Sequence, residues 1–249
     1  MTSRGVIVLD GATSHGPDEL AAGDYVDHLG QALVDRMDGE RTLPDVLAAA
    51  LRRTIDELGL IENSPYSPSS TVAMTQVNKA NDIDLLVLGD STIVAGNTMG
   101  TIEALCDERL DSLALPQRER YRARLQEGSG FDDNHRAILG ELQQAQRALR
   151  NRPNGYWIAS TDPSAARHAI SVTRPSDKLD WLILATDGAA DTLAALKVPW
   201  CDIAEMDGTA LTELLDRCNR WEQTTDPNGL MVPRSKRHDD KTIAVVKLH

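Results

Sequence analysis

The chain has 249 residues, and its 26 basic and 38 acidic side chains give a formal net charge of -12 at pH 7. This balance argues against a nucleic acid or an anionic membrane as the partner, since both require a basic protein surface. The three cysteines lack the spacing of a metal site, and no apolar run approaches the roughly 18 residues that span a membrane. We therefore expect a cytoplasmic protein that folds as a single domain over residues 1–249.

The first predicted element is a short buried strand, residues 6–9, that runs directly into Asp10 and Gly11. A carboxylate at the mouth of a buried strand is costly unless a cation or several N–H groups compensate its charge. Gly11 has no side chain, so its backbone carbonyl can also approach a ligand closely. Asp10 and Gly11 are therefore candidate metal ligands, and an ordinary Asp-Gly turn is the alternative.

Two amphipathic helices are predicted next, over residues 19–37 and 43–58, because their apolar side chains recur at helical spacing. Short β-rich stretches then alternate with turn residues, which predicts an antiparallel meander. Its strands are expected at residues 71–77, 84–88, 92–95 and 101–106. The turn that contains Gly89, Asp90 and Ser91 is interpreted as structural.

The second half of the chain begins with a charged and polar region, residues 111–154, in which one helix is predicted near residues 135–150. Further strands are predicted at residues 155–159, 170–172, 181–185 and 241–246. Further helices are predicted at residues 162–168, 189–196 and 203–222. The strands are grouped and joined by hairpins rather than alternating with helices, which predicts an α+β sandwich.

Two later acids repeat the pattern of Asp10 at the ends of apolar strands. Asp187 follows the strand predicted at residues 181–185, and Asp239 precedes the last strand. Three such acids, far apart in sequence, can meet at one place in a sheet protein. Mg²⁺ and Mn²⁺ prefer carboxylate, carbonyl and water oxygens, and no cluster of Cys and His residues favours a softer ion.

Five short motifs stand in a characteristic order along the chain. They are Asp10-Gly11, Ser69-Ser70-Thr71-Val72-Ala73, Val87-Leu88-Gly89-Asp90-Ser91, Ala185-Thr186-Asp187-Gly188-Ala189-Ala190-Asp191 and Asp239-Asp240-Lys241-Thr242. Together they resemble the metal-dependent protein serine/threonine phosphatases of the protein phosphatase 2C family. Each motif alone is weak, but the ordered set is fairly specific and spans nearly the whole chain. The resemblance implies a four-layer αββα sandwich, in which two central antiparallel sheets are flanked by helices.

The resemblance also implies an activity and its metal ligands. The activity is metal-dependent hydrolysis of phosphoserine and phosphothreonine in proteins by a metal-activated water, with two Mn²⁺ or Mg²⁺ ions as cofactors and a phosphorylated protein as the partner. Asp10 would bridge the two ions, and the carbonyl of Gly11 would share the second. Asp187 and Asp239 would complete the shell of the first ion. Asp107 stands where relatives hold a third, weaker metal position, and an exposed loop acid is the alternative reading.

Relatives carry another strand before the Asp-Gly motif, with a phosphate-binding arginine and a further metal-binding acid, whereas this chain has only five residues there. Arg4, or Arg234 and Arg237 from a later basic loop, are the candidate replacements for phosphate binding. His15 and His238 lie within a few residues of the proposed ligands, so they are candidate proton donors to the leaving oxygen. An ordinary surface histidine is the alternative at both positions.

Two competing interpretations use the same residues. The stretch Asp10-Gly11-Ala12-Thr13 also resembles the first motif of phosphatases of the haloacid dehalogenase type. That chemistry needs a nucleophilic aspartate two residues earlier, where this chain has Val8, so the interpretation fails. A catalytically weak or inactive pseudo-phosphatase that acts as a regulatory binding module remains an alternative, favoured by the short N-terminus and disfavoured by the retained acids.

Overall fold

The computed structural model describes residues 4–12, 22–113 and 115–248. Its centre consists of two four-stranded antiparallel sheets. The first sheet has the order β1-β2-β3-β6, with β1 at Gly5–Ala12, β2 at Ser69–Val77, β3 at Ile83–Leu88 and β6 at Ile170–Arg174. The second has the order β5-β4-β7-β8, with β4 at Thr92–Gly96, β5 at Ile102–Cys106, β7 at Trp181–Ala185 and β8 at Ile243–Lys247.

Helices cover the outer faces of both sheets. Helices α1 (Ala22–Val34) and α2 (Leu43–Leu58) share an apolar core with the first sheet. On the second sheet lie α5 (Asp187–Ala195), α6 (Trp200–Ala204) and α7 (Gly208–Thr224). Helices α3 (Pro116–Gln126) and α4 (Asp133–Leu149) pair with each other around a small core of their own. The predicted α+β sandwich of two antiparallel sheets flanked by helices is confirmed.

The alternation of side chains along β1 explains how the strand positions the acid at its end. Val6 and Val8 are buried between the two sheets, whereas Ile7 and Leu9 pack towards the helices. Burying an aliphatic side chain of this size stabilises the fold by about 1.5–3 kcal/mol. Since successive strand residues point to opposite faces, Asp10 shares the face of Val6 and Val8. Its carboxyl group is therefore directed to the edge of the space between the sheets.

Helix α2 begins and ends at the residues predicted, and its caps explain this precision. The side chain of Thr42 accepts a hydrogen bond from the backbone N–H of Asp45, and Pro44 lies in the first turn. Gly59 ends the helix in the left-handed conformation, with φ of 61°, which a residue without a Cβ adopts at low cost. No helix in the described ranges is long and apolar enough to cross a bilayer.

Two predicted elements differ from the observed ones, and one observed helix was not predicted. Residues 155–159 form isolated bridges, Ser70 with Ala159 and Arg150 with Tyr156, instead of a strand. The helix predicted at residues 203–222 is two helices, because Asp207 caps the start of α7 by accepting a hydrogen bond from Ala210 N. No helix was predicted in the segment that forms α3, since few of its side chains are apolar.

Candidate functional site

Among the described residues, four aspartates from separate elements, together with Asp240 beside one of them, line one cavity of about 480 Å³ at the edge of the two sheets. Asp10 lies near the end of β1, and Asp90 lies in the turn between β3 and β4. Asp187 is the first residue of α5, and Asp239 lies in the segment before β8. The backbone of Gly11 lines the same cavity, where β1 pairs with β2 opposite Ser70. The structure therefore brings the three strand-edge acids together and adds a fourth.

The carboxyl groups in this cavity oppose one another's ionisation. Burial, followed by the charge of Asp187, raises the pKa of Asp10 to about 8. Burial and the same charge raise the pKa of Asp90 to about 7. The pKa of Asp187 is also raised, by burial and by the charge of Asp239, although a hydrogen bond from Gly188 N at 2.7 Å opposes this shift. A hydrogen bond between the carboxyl groups of Asp10 and Asp187 also contributes to the raised pKa of Asp10.

The donor set of this cavity fits a hard divalent cation. Several carboxylates in one partly buried place raise each other's pKa, and a bound cation would reverse that effect. Within the described part of the chain, no three His, Cys, Asp or Glu side chains already stand at metal-ligand geometry. The acids surround the cavity without closing on one point, so binding requires loss of the Asp10 proton and reorientation of side chains. The assignment of individual ligands stays a prediction.

Lys236 also lines the cavity and holds the acids of the last segment. Its Nζ lies 2.7 Å from Oδ2 of Asp240 and 3.3 Å from Oδ1 of Asp239. Burial would lower the pKa of Lys236, but the interactions with Asp240 and Asp239 outweigh it, and the pKa is raised. Lys236 therefore compensates part of the negative charge at this side of the cavity.

Buried ionic contacts fix the backbone that carries Asp239. Lys241 and Glu222 of α7 are both almost fully buried and lie 2.6 Å apart, Nζ to Oε1. The same Nζ donates a hydrogen bond to the backbone carbonyl of Asp239 at 2.9 Å. On the other side, Thr242 exchanges hydrogen bonds with Thr186, the residue before Asp187. Asp239 and Asp187 are therefore held in fixed relation through the backbone.

The sequence is similar to known protein phosphatases 2C. A family profile described as Protein phosphatase 2C matches residues 2–115. The probable protein phosphatase 2C 56 of Oryza sativa subsp. japonica is 26% identical over 190 residues, which cover 75% of this chain and 49% of that protein. The predicted resemblance to the protein phosphatase 2C family is confirmed. The chain spans about half the length of this curated relative.

A solved structure agrees with the same fold. The serine-threonine phosphatase 2C from Toxoplasma gondii superimposes with a TM-score of 0.51, over 97% of this chain and 83% of that chain, at 13% identity. At this identity the likeness concerns the fold alone. The two antiparallel sheets and their covering helices are thus the architecture of a protein phosphatase 2C structure.

The fifth metal-ligand candidate drawn from the protein phosphatase 2C resemblance, Asp107, lies elsewhere. Its side chain is buried and forms a two-contact ion pair with Arg109, at 2.7 Å to Nε and 2.5 Å to Nη2. Arg109 also donates to the backbone carbonyl of His168. Asp107 is absent from the described residues that line the acid cavity. It is therefore not the exposed loop acid of the alternative reading, and its role as a metal ligand stays a prediction.

The structure does not bring the candidate phosphate-binding residues to the cavity. Arg4 precedes β1 at the end opposite Asp10, and five strand residues between them separate their backbones by roughly 20 Å. Arg237 is exposed, and its backbone carbonyl accepts a hydrogen bond from Nε of Arg234. Arg234 itself is buried against Asp226, so its guanidinium group is already engaged.

Of the two candidate proton donors, His238 is absent from the described lining of the acid cavity, although its neighbour Asp239 belongs to that lining. The imidazole of His238 lies 3.3 Å from Oε2 of Glu222, Nδ1 to oxygen, and lines a different cavity of about 940 Å³ along α7. His15 lies outside the described residues.

Sequence reasoning missed Asp90 and two arginines, although signals for them exist. Asp90 follows the buried strand β3 as Asp10 follows β1, but the turn composition outweighed that likeness. Arg147 and Arg150 line the acid cavity. They belong to a stripe at helical spacing along α4 and its end. The stripe consists of Leu139, Gln143, Gln146, Arg147 and Arg150.

Gly188 offers a test of how closely the Asp239 backbone packs on α5. A Cβ at Gly188 would lie 2.5 Å from the carbonyl oxygen of Asp240 and 3.1 Å from Cβ of Asp239. We expect Gly188→Ala to displace Asp239 and to lower metal-dependent turnover about 100-fold, as misplacement of a reacting group does. The matched control is Gly140→Ala in α4, where a Cβ meets nothing within 4 Å and adds about 1 kcal/mol of helix stability. Equal turnover in both variants would contradict the expectation.

Proposed function

We propose that this protein hydrolyses phosphoserine and phosphothreonine in proteins with the help of two Mn²⁺ or Mg²⁺ ions. The observation that carries the proposal is the convergence of Asp10, Asp90, Asp187 and Asp239 on one cavity from four separate elements. The resemblance to the protein phosphatase 2C family supports the reaction class. Phosphorylated proteins are accordingly the proposed partners.

The proposal assigns metal binding and backbone positioning to different residues of the chain. Asp10, Asp187 and Asp239 would hold the ions together with the carbonyl of Gly11, and Asp90 would add a further carboxylate. The ions, when bound, would activate a water and neutralise charge on the phosphate. The fixed backbone around Lys241 and Thr242 would keep Asp239 in place between turnovers. The proton-donor roles of His15 and His238 and the metal role of Asp107 stay predictions.

Arg147 is proposed to bind the substrate phosphate in place of Arg4 and Arg237. It lines the acid cavity, and a guanidinium group can bind two phosphate oxygens at once. We expect Arg147→Gln to raise KM for p-nitrophenyl phosphate about tenfold, since a hydrogen bond to a charged group contributes about 1.5–3 kcal/mol. Arg4→Gln should leave KM unchanged. A raised KM in Arg4→Gln and an unchanged KM in Arg147→Gln would instead assign phosphate binding to Arg4.

The activity itself is tested with a phosphothreonine peptide and p-nitrophenyl phosphate, in the presence of Mn²⁺ and in the presence of a chelator. The proposal expects turnover of both substrates that needs the metal. The alternative is a pseudo-phosphatase that acts as a binding module, and the contact of Lys236 with Asp239, 3.3 Å from Nζ to Oδ1, favours it. No turnover by folded protein at saturating Mn²⁺ would support that alternative and defeat the proposal.

A further inference from the structure

A second cavity, of about 160 Å³, lies beside the acid cavity and is lined by three arginines. We call it the arginine pocket and define it by Arg147, Arg150 and Arg152, together with the polar side chains of Asn63, Asn151 and Ser160. Arg147 and Arg150 line both cavities. A molecule bound at the acids can therefore extend into the arginine pocket along a shared wall.

The charges of the arginine pocket are largely uncompensated. Across residues 4–12, 22–113 and 115–248, the guanidinium groups of Arg147 and Arg152 form no hydrogen bond or ion pair. Arg150 donates to the carbonyl of Ser67 at 3.0 Å, but its Nε is buried without a partner among the same residues. Most buried polar atoms in proteins are hydrogen-bonded, so Nε of Arg150 is suited to an anionic acceptor, and the guanidinium groups of Arg147 and Arg152 are available to the same acceptor.

The surrounding contacts make the arginine pocket a preformed feature. Asn151 adopts a left-handed backbone with φ of 50°, and its side chain bonds Ser160 Oγ at 3.0 Å and Ile158 N at 2.9 Å. Asp162, the acid among the described residues of the pocket wall, already accepts two hydrogen bonds from Ser164. The chain carries a net charge of -12, so three arginines grouped without carboxylate partners depart from its overall balance.

We propose that the arginine pocket binds a second anionic group of the substrate, on a residue next to the phosphorylated one. This inference rests on the proposed function only in taking the substrate to be a phosphoprotein. The anion is a phosphate or a carboxylate, because arginine binds both in the same two-contact geometry. The protein would then select phosphorylated sites that have a second phosphate or an acidic residue nearby.

The test uses Arg152→Gln, because Arg152 lines the arginine pocket and is absent from the described lining of the acid cavity. Its side chain is exposed, so the substitution leaves the fold intact. The matched control is Arg52→Gln, which removes the same charge from the exposed face of α2. The substrates are p-nitrophenyl phosphate and phosphothreonine peptides with phosphoserine, Asp or Asn at one to four residues on either side.

We expect at least one spacing at which the anionic peptide exceeds its Asn counterpart about tenfold in kcat/KM. Arg152→Gln should abolish this preference and leave turnover of p-nitrophenyl phosphate and the Asn peptides unchanged. Arg52→Gln should retain the preference. A preference for phosphoserine over Asp identifies phosphate as the anion, and equal preference identifies any anionic group. No preference at any spacing, or one that survives in Arg152→Gln, overturns the inference.

A binding measurement separates this inference from the proposed function. The peptides are titrated by calorimetry into wild-type protein and Arg152→Gln in the presence of a chelator, so that no turnover is needed. If no substrate is hydrolysed but the anionic peptide binds in a manner that depends on Arg152, the proposed function fails and the arginine pocket stands. If the substrates are hydrolysed but the anionic peptide binds wild type and Arg152→Gln equally, the role of the arginine pocket is contradicted and the proposed function stands.

Discussion

Asp187→Asn should lower metal-dependent turnover about a thousandfold, because metal ions in such sites supply several kcal/mol of transition-state stabilisation. The amide keeps one oxygen for the hydrogen bond from Gly188 N, so the start of α5 should stay intact. What is lost is the negative charge that Asp187 contributes to the cavity. The assay is hydrolysis of p-nitrophenyl phosphate at saturating Mn²⁺.

The same substitution should stabilise the metal-free protein. In the fold, the charge of Asp187 raises the pKa of Asp10 and Asp90, which means that it disfavours the ionised form of both groups. Replacing one charge by a neutral amide removes part of this unfavourable interaction and should add roughly 1–2 kcal/mol to the free energy of unfolding in the presence of a chelator. Reduced activity together with higher stability is the combination expected of a functional site.

The sign of the pH dependence follows from Asp10. Its pKa is about 8 in the fold, against the ordinary aspartate value of 3.8, so the folded state binds the proton more tightly than the unfolded chain. The stability of the metal-free protein should therefore fall as the pH rises from about 4 to 8. The advantage of Asp187→Asn over wild type should be larger at pH 8 than at pH 5. Asp56→Asn, an exposed control on α2, should show neither effect.

Arg234→Ala should lower the free energy of unfolding by about 3–5 kcal/mol, because it leaves a buried carboxylate without its cation. Nη1 of Arg234 lies 2.8 Å from Oδ2 of Asp226, and both side chains are almost completely buried. The guanidinium group also donates to the backbone carbonyl of Asp226 and lies over the ring of Phe131, 5.3 Å from its centroid. Urea unfolding measures the change.

The position of Arg234 adds a functional consequence. It connects the segment that leads to Asp239 with the small core of α3 and α4 through Phe131. We therefore expect weaker Mn²⁺ binding in Arg234→Ala. The control is Arg237→Ala, an exposed arginine three residues later, which should change stability by less than about 0.5 kcal/mol. Equal destabilisation by the two variants would show that the buried contacts of Arg234 contribute little.

The predictable parts of this fold are those whose signals are local. The period of apolar residues and the caps of Thr42 and Gly59 are sufficient to bound α2 at both ends. The apolar run of β7 is bounded equally well, since a strand buried on both faces needs no partner to be recognised. The acids Asp10, Asp187 and Asp239 were likewise visible at the ends of such strands.

The missed parts depend on tertiary contacts. Helix α3 is mostly charged, and its few buried residues pack against α4 rather than against a sheet. The ion pair of Lys241 with Glu222 joins residues nineteen positions apart, so no local sequence pattern predicts it. Residues 155–159 contain strand formers, but they form two isolated bridges instead of a continuous strand. Tyr156 pairs with Arg150, and Ala159 pairs with Ser70. In each case packing outweighed local preference.

Binding of divalent cations by Asp10, Asp90, Asp187 and Asp239 is tested most directly by calorimetry. Chelator-treated protein is titrated with Mn²⁺ at pH 7. The titration is run in two buffers of different ionisation enthalpy, so that released protons are counted. Because the pKa of Asp10 is about 8 and that of Asp90 about 7, binding should release protons at this pH and should be lost in Asp10→Asn. Absence of binding by folded protein, or binding that Asp10→Asn leaves unchanged, would contradict the account.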